Sequence, residues 1–193
     1  MEVICHAADE LGIKYLTMFG FSTENWKRAK TEVKTLMQLF VSYMKYCEKN
    51  AAKDNMRVRV IGDIDGLPDR VKKQAESLQK NTAGFTGLQF TIALNYGSRD
   101  EMMRAMRRMA AETEDPKEFT EERFSGFLDT AELPDPDLVI RTSGEQRLSN
   151  FLLWQCAYSE FYFTEVPWPD FSPERLKEAV EEYGRRNRRY GGV

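Results

Sequence analysis

Short apolar runs at residues 13–19, 56–61, 88–95, 137–142 and 160–164 alternate with longer stretches in which apolar residues recur at helical spacing, at 2–11, 32–52, 69–82, 99–111, 121–128 and 173–187. Parallel strands cannot be joined by tight hairpins and need a crossover of a dozen or more residues, usually a helix. The alternation therefore specifies an α/β fold with a mainly parallel sheet flanked by helices. A chain of 193 residues is long enough to bury one full core. The stretches Thr113-Glu114-Asp115-Pro116 and Leu133-Pro134-Asp135-Pro136 read as loops rather than linkers, so residues 1–193 are expected to form a single domain.

Composition matters here for what it removes. With 28 basic residues against 31 acidic ones, no overall positive field recommends nucleic acid as a partner. Three widely spaced cysteines, Cys5, Cys47 and Cys156, form no C-x-x-C pair, which suits a reducing cytoplasm. The opening Met1-Glu2-Val3-Ile4-Cys5-His6 lacks the pattern of an export signal, and no apolar stretch approaches bilayer-spanning length. A lone histidine, His6, excludes a His-rich metal site and most triad chemistry. Any catalysis must rest on carboxylates, arginines and a supplied metal ion.

Two of the apolar runs empty into polar clusters. Run 13–19 continues through Gly20 into Phe21-Ser22-Thr23-Glu24-Asn25-Trp26-Lys27-Arg28. Run 137–142 opens into Ser143-Gly144-Glu145-Gln146-Arg147-Leu148-Ser149-Asn150. In open α/β sheets ligands sit at the carboxyl ends of strands. The guanidiniums of Arg141 and Arg147, the nearby hydroxyls and Gly144 suit an anion with several oxygens, such as a diphosphate; a solvated turn is the plainer alternative. Glu160 is the single formal charge in the aromatic stretch 151–163, so it is expected to be bound to a hard cation or paired with an arginine. On helix 32–52, Val33, Leu36, Met37, Phe40, Val41 and Met44 form one apolar face and Leu39, Tyr43 and Tyr46 another. Such a helix lies deep in a core or lines an apolar cavity. The basic cluster 185–189 closes the pattern, as a solvated helix end or a phosphate contact.

These blocks, together with Asn95-Tyr96-Gly97 and the run from Phe151-Leu152-Leu153-Trp154-Gln155 to Phe171, resemble the signature blocks of the cis-prenyltransferases, most closely the bacterial undecaprenyl diphosphate synthase type. The resemblance implies a fold with an apolar tunnel, walled in part by Leu39, Tyr43 and Tyr46. It implies condensation of isopentenyl diphosphate with farnesyl diphosphate to a long cis-polyprenyl diphosphate, the undecaprenyl carrier used in cell-wall synthesis, with Mg2+ required. Asn25 and Glu24 would act at the reacting centre, Asn25 by orienting while a diphosphate oxygen takes the proton. Ser22, Thr23, Glu24, Trp26 and Arg28 would meet substrate, Arg141, Arg147, Leu148 and Ser149 would hold the isopentenyl diphosphate, and Glu160 would serve the metal. A homodimer is implied, with Arg189-Tyr190-Gly191 reaching the partner's site, and peripheral membrane association through the lipid product. The family's N-terminal strand with its Asp-Gly-Asn-Gly-Arg-Trp block and metal-binding aspartate finds no match in this sequence, and Gln146 stands where many relatives carry histidine. The resemblance therefore implies that activity depends on a segment not contained here. The rival readings are a non-catalytic partner subunit of such an enzyme, and an unrelated nucleotide-phosphate module, for which no Walker or dinucleotide glycine motif appears.

Overall fold

In the computed structural model, which describes residues 1–186, the apolar runs form two parallel ladders. The first carries β1 (Tyr15–Ser22), β2 (Arg57–Ile61) and β3 (Gln89–Tyr96) in the order β1-β3-β2. The second pairs β4 (Leu138–Arg141) with β5 (Glu160–Phe163), Leu138 opposite Glu160 and Arg141 opposite Phe163. β3 is central and buried from Phe90 to Tyr96, which is why it reads as a continuous apolar run rather than an alternating one. Among the described residues β1 and β4 each pair on one side only.

The crossovers are helical. α1 (Glu2–Glu10) precedes β1, while α2 (Lys30–Asn50) and α3 (Asp69–Thr82) pack on one another over the sheet. α4 (Ser98–Glu112) and the short α5 (Glu121–Ser125) follow β3, and α6 (Pro173–Arg185) closes against α1. Val33, Met37, Val41 and Met44 of α2 enter the main core beside Val71, Ala75 and Leu78 of α3 and Phe90, Ile92 and Leu94 of β3. Burying side chains of this size stabilises by about 1.5–3 kcal/mol each, so this one face anchors the helix. At the end of α3, buried Thr82 accepts a hydrogen bond from Val58 N at 3.0 Å and donates to Leu78 O at 2.8 Å, fixing the helix to β2.

Two elements depart from the sequence expectation. β1 runs on through Gly20 to Ser22, with register irregularities after Phe19 and Phe21. A bulge twists and redirects a strand without ending it, so a glycine that reads as a terminator instead aims Ser22 at the loop beyond. α5 stops at Ser125 rather than 128, because Gly126 and Phe127 turn back through bonds to Glu122 O and Phe124 O. On α2, Leu39 is 59% exposed and is not among the residues lining the two described cavities. Tyr43 and Tyr46 do line one, of about 290 Å³, together with Cys5, Cys47 and Leu88. It lies near the amino ends of β2 and β3.

Candidate active site

Parallel strands put their carboxyl ends on one side, and the polar loops meet there. A cleft of about 620 Å³ is lined by Phe19, Gly20, Phe21, Ser22, Glu24 and Asn25 from β1 and its loop, by Arg141, Ser149 and Asn150 from beyond β4, and by Arg99 of α4. The sequence separation between Glu24 and Asn150 closes through a hydrogen bond, Asn150 Nδ2 donating to Glu24 Oε1 at 3.1 Å. Asn150 also accepts from α4, with its carbonyl taking Ser98 N at 2.8 Å and its Oδ1 taking Arg99 N at 2.9 Å. One side chain thus ties three segments together and satisfies orphan donors of a helix start.

The β1 loop is a short 3-10 turn, Thr23–Lys27. Its entry is held by Ser22 N donating to Asn25 Oδ1 at 3.0 Å. Trp26 anchors it from behind: the indole N–H donates to Asn95 Oδ1 at 2.7 Å and the ring meets Phe21 edge to face, with centroids 5.0 Å apart. Asn95 in turn donates to Asp63 O at 2.8 Å. Gly97 is required because a Cβ there would stand 2.6 Å from Thr23 Oγ1 and 2.7 Å from Asn150 Nδ2. Asn95, Ser143, Ser149, Asn150 and Leu152 all adopt left-handed backbone conformations, with φ between 45° and 69°. Strained backbone of this kind gathers where a site must hold an unusual geometry.

Burial pulls the Glu24 carboxyl upward, but its own backbone N–H and the side chains of Asn150, Ser22 and Thr23 outweigh that and hold its pKa below the usual carboxylate value. The floor is aromatic, with Phe19 stacked on Phe151 at 4.5 Å and edge-on to Tyr96. Beneath lies a buried polar network that sequence reasoning missed. Tyr96 donates to Glu101 Oε2 at 2.5 Å, Gln155 Nε2 donates to Glu101 and Thr130, and Asp129 N donates to Glu101 Oε1. Burial raises the Glu101 carboxyl, with hydrogen bonds from Tyr96 and Gln155 opposing. Arg104 clamps Asp129 through both terminal nitrogens, at 2.8 and 2.6 Å.

Residues 1–191 match the family described as Putative undecaprenyl diphosphate synthase. The chain belongs to this family. An isoprenyl transferase of Clostridium acetobutylicum is 45% identical, with all of this chain and 78% of the relative covered. One of Fusobacterium nucleatum is 50% identical, covering 95% of this chain and 79% of the relative. The solved structure of a probable undecaprenyl diphosphate synthase from Campylobacter jejuni superposes with a TM-score of 0.91 at 35% identity, covering 100% of this chain and 90% of that one. Lavandulyl diphosphate synthase from Lavandula x intermedia, solved in complex with dimethylallyl diphosphate, gives 0.95 at 35% identity, over 99% and 84%. The α/β architecture and the family-level chemistry, cis-prenyl transfer, stand on these likenesses together.

For a cis-prenyltransferase, the cleft gathers a subset of the residues singled out from the sequence. Ser22, Glu24, Asn25, Arg141 and Ser149 line it. Thr23 donates to Glu24 Oε2 at 3.1 Å from beside it. Trp26 braces the loop from outside, Arg28 pairs with Glu32 at 2.5 Å, and Arg147 pairs outward with Glu145. Leu148 is half-buried, with its carbonyl accepting from Phe151 N. Glu160 pairs with Arg186 at 2.7 Å, the arginine-paired alternative of the sequence reading. It also opens β5 opposite Leu138, three residues from the Arg141 end, or about 10 Å. Arg189-Tyr190-Gly191 lies outside the described residues.

Arg99, Asn95 and Asn150 were not assigned from sequence. The available signal was their place beside Gly97 and Ser149, in blocks already marked as polar strand ends. Among the described residues no group of three His, Cys, Asp or Glu side chains could hold a metal, and Glu24 is the carboxylate among the cleft-lining residues. The described residues do not by themselves fit a magnesium site. No helix among them is long and apolar enough to cross a membrane.

Proposed function

We propose that this cleft binds isopentenyl diphosphate, with Arg141 and Ser149 on the diphosphate, and adds it to an allylic diphosphate of the farnesyl class to build a long cis-polyprenyl diphosphate for cell-wall carriers. One observation carries the reading: the Ser22 to Asn25 turn and the Arg141 and Ser149 pair line a single cleft over an aromatic floor. The lavender enzyme's dimethylallyl diphosphate is an allylic diphosphate of the class required.

Breaking an allylic carbon to oxygen bond leaves negative charge on diphosphate, where a guanidinium positioned in advance stabilises it most. That leaving diphosphate is the allylic substrate's; Arg141, whose guanidinium donates to Ser149 Oγ at 3.5 Å, would instead hold the diphosphate that the isopentenyl unit keeps through the step. Phe19 presents ring surface to the hydrocarbon and to a developing allylic cation, while Phe21 is buried in the core. Asn25 keeps its oxygen on Ser22 N, leaving its amide N–H groups to orient substrate; a neutral amide is a poor base, so the proton goes to a diphosphate oxygen.

Magnesium would arrive with the diphosphate, since it favours one or two carboxylates plus substrate phosphates. Glu160 could serve it only by exchanging Arg186 for the ion. Exposed Tyr158, Phe163 and Trp168 beside β5 support a homodimer, and the setting proposed is cytoplasmic, with membrane contact through the lipid product.

The test is calorimetry with isopentenyl diphosphate. Arg141→Ala should weaken binding more than tenfold, about 1.4 kcal/mol. Equal affinity removes the diphosphate role of the cleft.

A further inference from the structure

We propose that Arg99 is a diphosphate-binding residue, reaching from the amino end of α4 to the anion that Arg141 and Ser149 meet from β4. The inference rests on the cleft reading above and adds a second guanidinium to it. Many arginines among the described residues are tied to carboxylates, as Arg28 is to Glu32 and Arg147 to Glu145. The two that line the cleft, Arg99 and Arg141, stand in no ion pair among the described residues.

The placement of Arg99 is unfavourable for the free protein in two ways. It occupies the first turn of a fifteen-residue helix, where the macrodipole disfavours a cation. It also shares a concave surface with another unneutralised guanidinium, and a cleft walled by low-dielectric protein intensifies like-charge repulsion. Among the described residues its guanidinium makes no hydrogen bond that would repay this in packing; only its backbone N–H is engaged, by Asn150 Oδ1. An anion between the two arginines removes both penalties.

Both arginines sit against the same stretch of loop. The backbone N–H of Arg99 donates to Asn150, at 2.9 Å, and the side chain of Arg141 to Ser149, at 3.5 Å, and both residues line the one cleft. Two guanidiniums in one cleft suit a ligand with two phosphoryl groups better than one with a single group, because each can take its own set of oxygens. Arg147, 65% exposed, pairs with Glu145 in the free protein.

Calorimetric titration of the full chain with inorganic pyrophosphate and with phosphate tests the assignment, using wild type, Arg99→Ala, Arg99→Lys and Arg141→Ala. The exposed Arg99 side chain can be removed without opening a cavity, and circular dichroism verifies the fold. Arg99→Ala should weaken pyrophosphate binding at least tenfold and phosphate binding by less, with Arg99→Lys restoring part of the loss. Wild-type affinity in Arg99→Ala alongside a loss in Arg141→Ala overturns the role of Arg99 and leaves the cleft reading standing. Equal behaviour of all four proteins overturns both.

Discussion

Asn150 joins the β1 loop, the β4 loop and α4, and its replacement should separate scaffold from site. Its carbonyl bond to Ser98 N survives any substitution, whereas the side-chain bonds to Arg99 N and Glu24 are lost. Losing a helix-start acceptor costs about 1 kcal/mol. Losing the exposed bond to Glu24 adds about 0.5 kcal/mol. The residue sits at φ 63°, so Asn150→Gly carries no steric penalty, while Asn150→Ala adds about 1 kcal/mol of left-handed strain. The expected losses are then about 1.5 kcal/mol for glycine and about 2.5 kcal/mol for alanine. At about 2–4 °C per kcal/mol for a chain of this size, Tm falls by about 3–6 °C and about 5–10 °C respectively. Thermal unfolding followed by circular dichroism, with isopentenyl diphosphate titrations on the same samples, measures both effects. Asn150→Asp sharpens the test, since it keeps an acceptor for Arg99 N but sets a carboxylate against Glu24. The Glu24 carboxyl, now held low, should rise, and binding lost at neutral pH should recover as pH falls through the carboxylate range. Glycine destabilising as much as alanine, or an aspartate variant with unchanged binding, would refute the account of Asn150.

Three further outcomes are expected. Glu101 is raised by burial, so its folded pKa exceeds its unfolded one; the stability it allows is full below the unfolded value and declines as pH rises through the folded value. Glu101→Gln should flatten that decline in urea unfolding as pH rises above the ordinary carboxylate range, and parallel pH profiles for the two proteins would count against a buried neutral acid. Gly97→Ala forces a methyl group against Thr23 and Asn150 and should lower isopentenyl diphosphate affinity severalfold; wild-type affinity would mean that the loops close without that approach. Glu160→Gln should raise the magnesium needed for half-maximal activity in a version of the chain carrying the Asp-Gly-Asn-Gly-Arg-Trp strand, and an identical titration would leave Glu160 as the partner of Arg186 alone.

The strands and long helices were legible because burial imposes period: the face Val33, Met37, Val41 and Met44 recurs every turn, and β3 is apolar throughout because both its faces are covered. The site was legible in part. Ser22 and Arg141 stand at strand ends, where topology alone brings loops together. What sequence could not tell was which arginine is already neutralised. Arg147 and Arg99 look alike in a string of letters, and only the fold gives Arg147 a glutamate partner and leaves Arg99 facing the cleft. Likewise Glu160 carries the lone charge of its segment, yet its partner Arg186 lies on another element. The second apolar stripe of α2 is split by the fold: Leu39 is exposed, whereas Tyr43 and Tyr46 line a cavity.

The one-sided pairing of β1 and β4 bears on handling as much as on fold. An unpaired strand edge is a template for any other extended chain, and Leu16, Met18 and Ile140 give these two edges partly buried apolar flanks. At high concentration the chain should associate edge to edge into oligomers that grow with time and dissolve in mild denaturant, as light scattering would report. A lysine placed on β1 at Thr17, half-buried on that edge strand, would keep the protein dispersed.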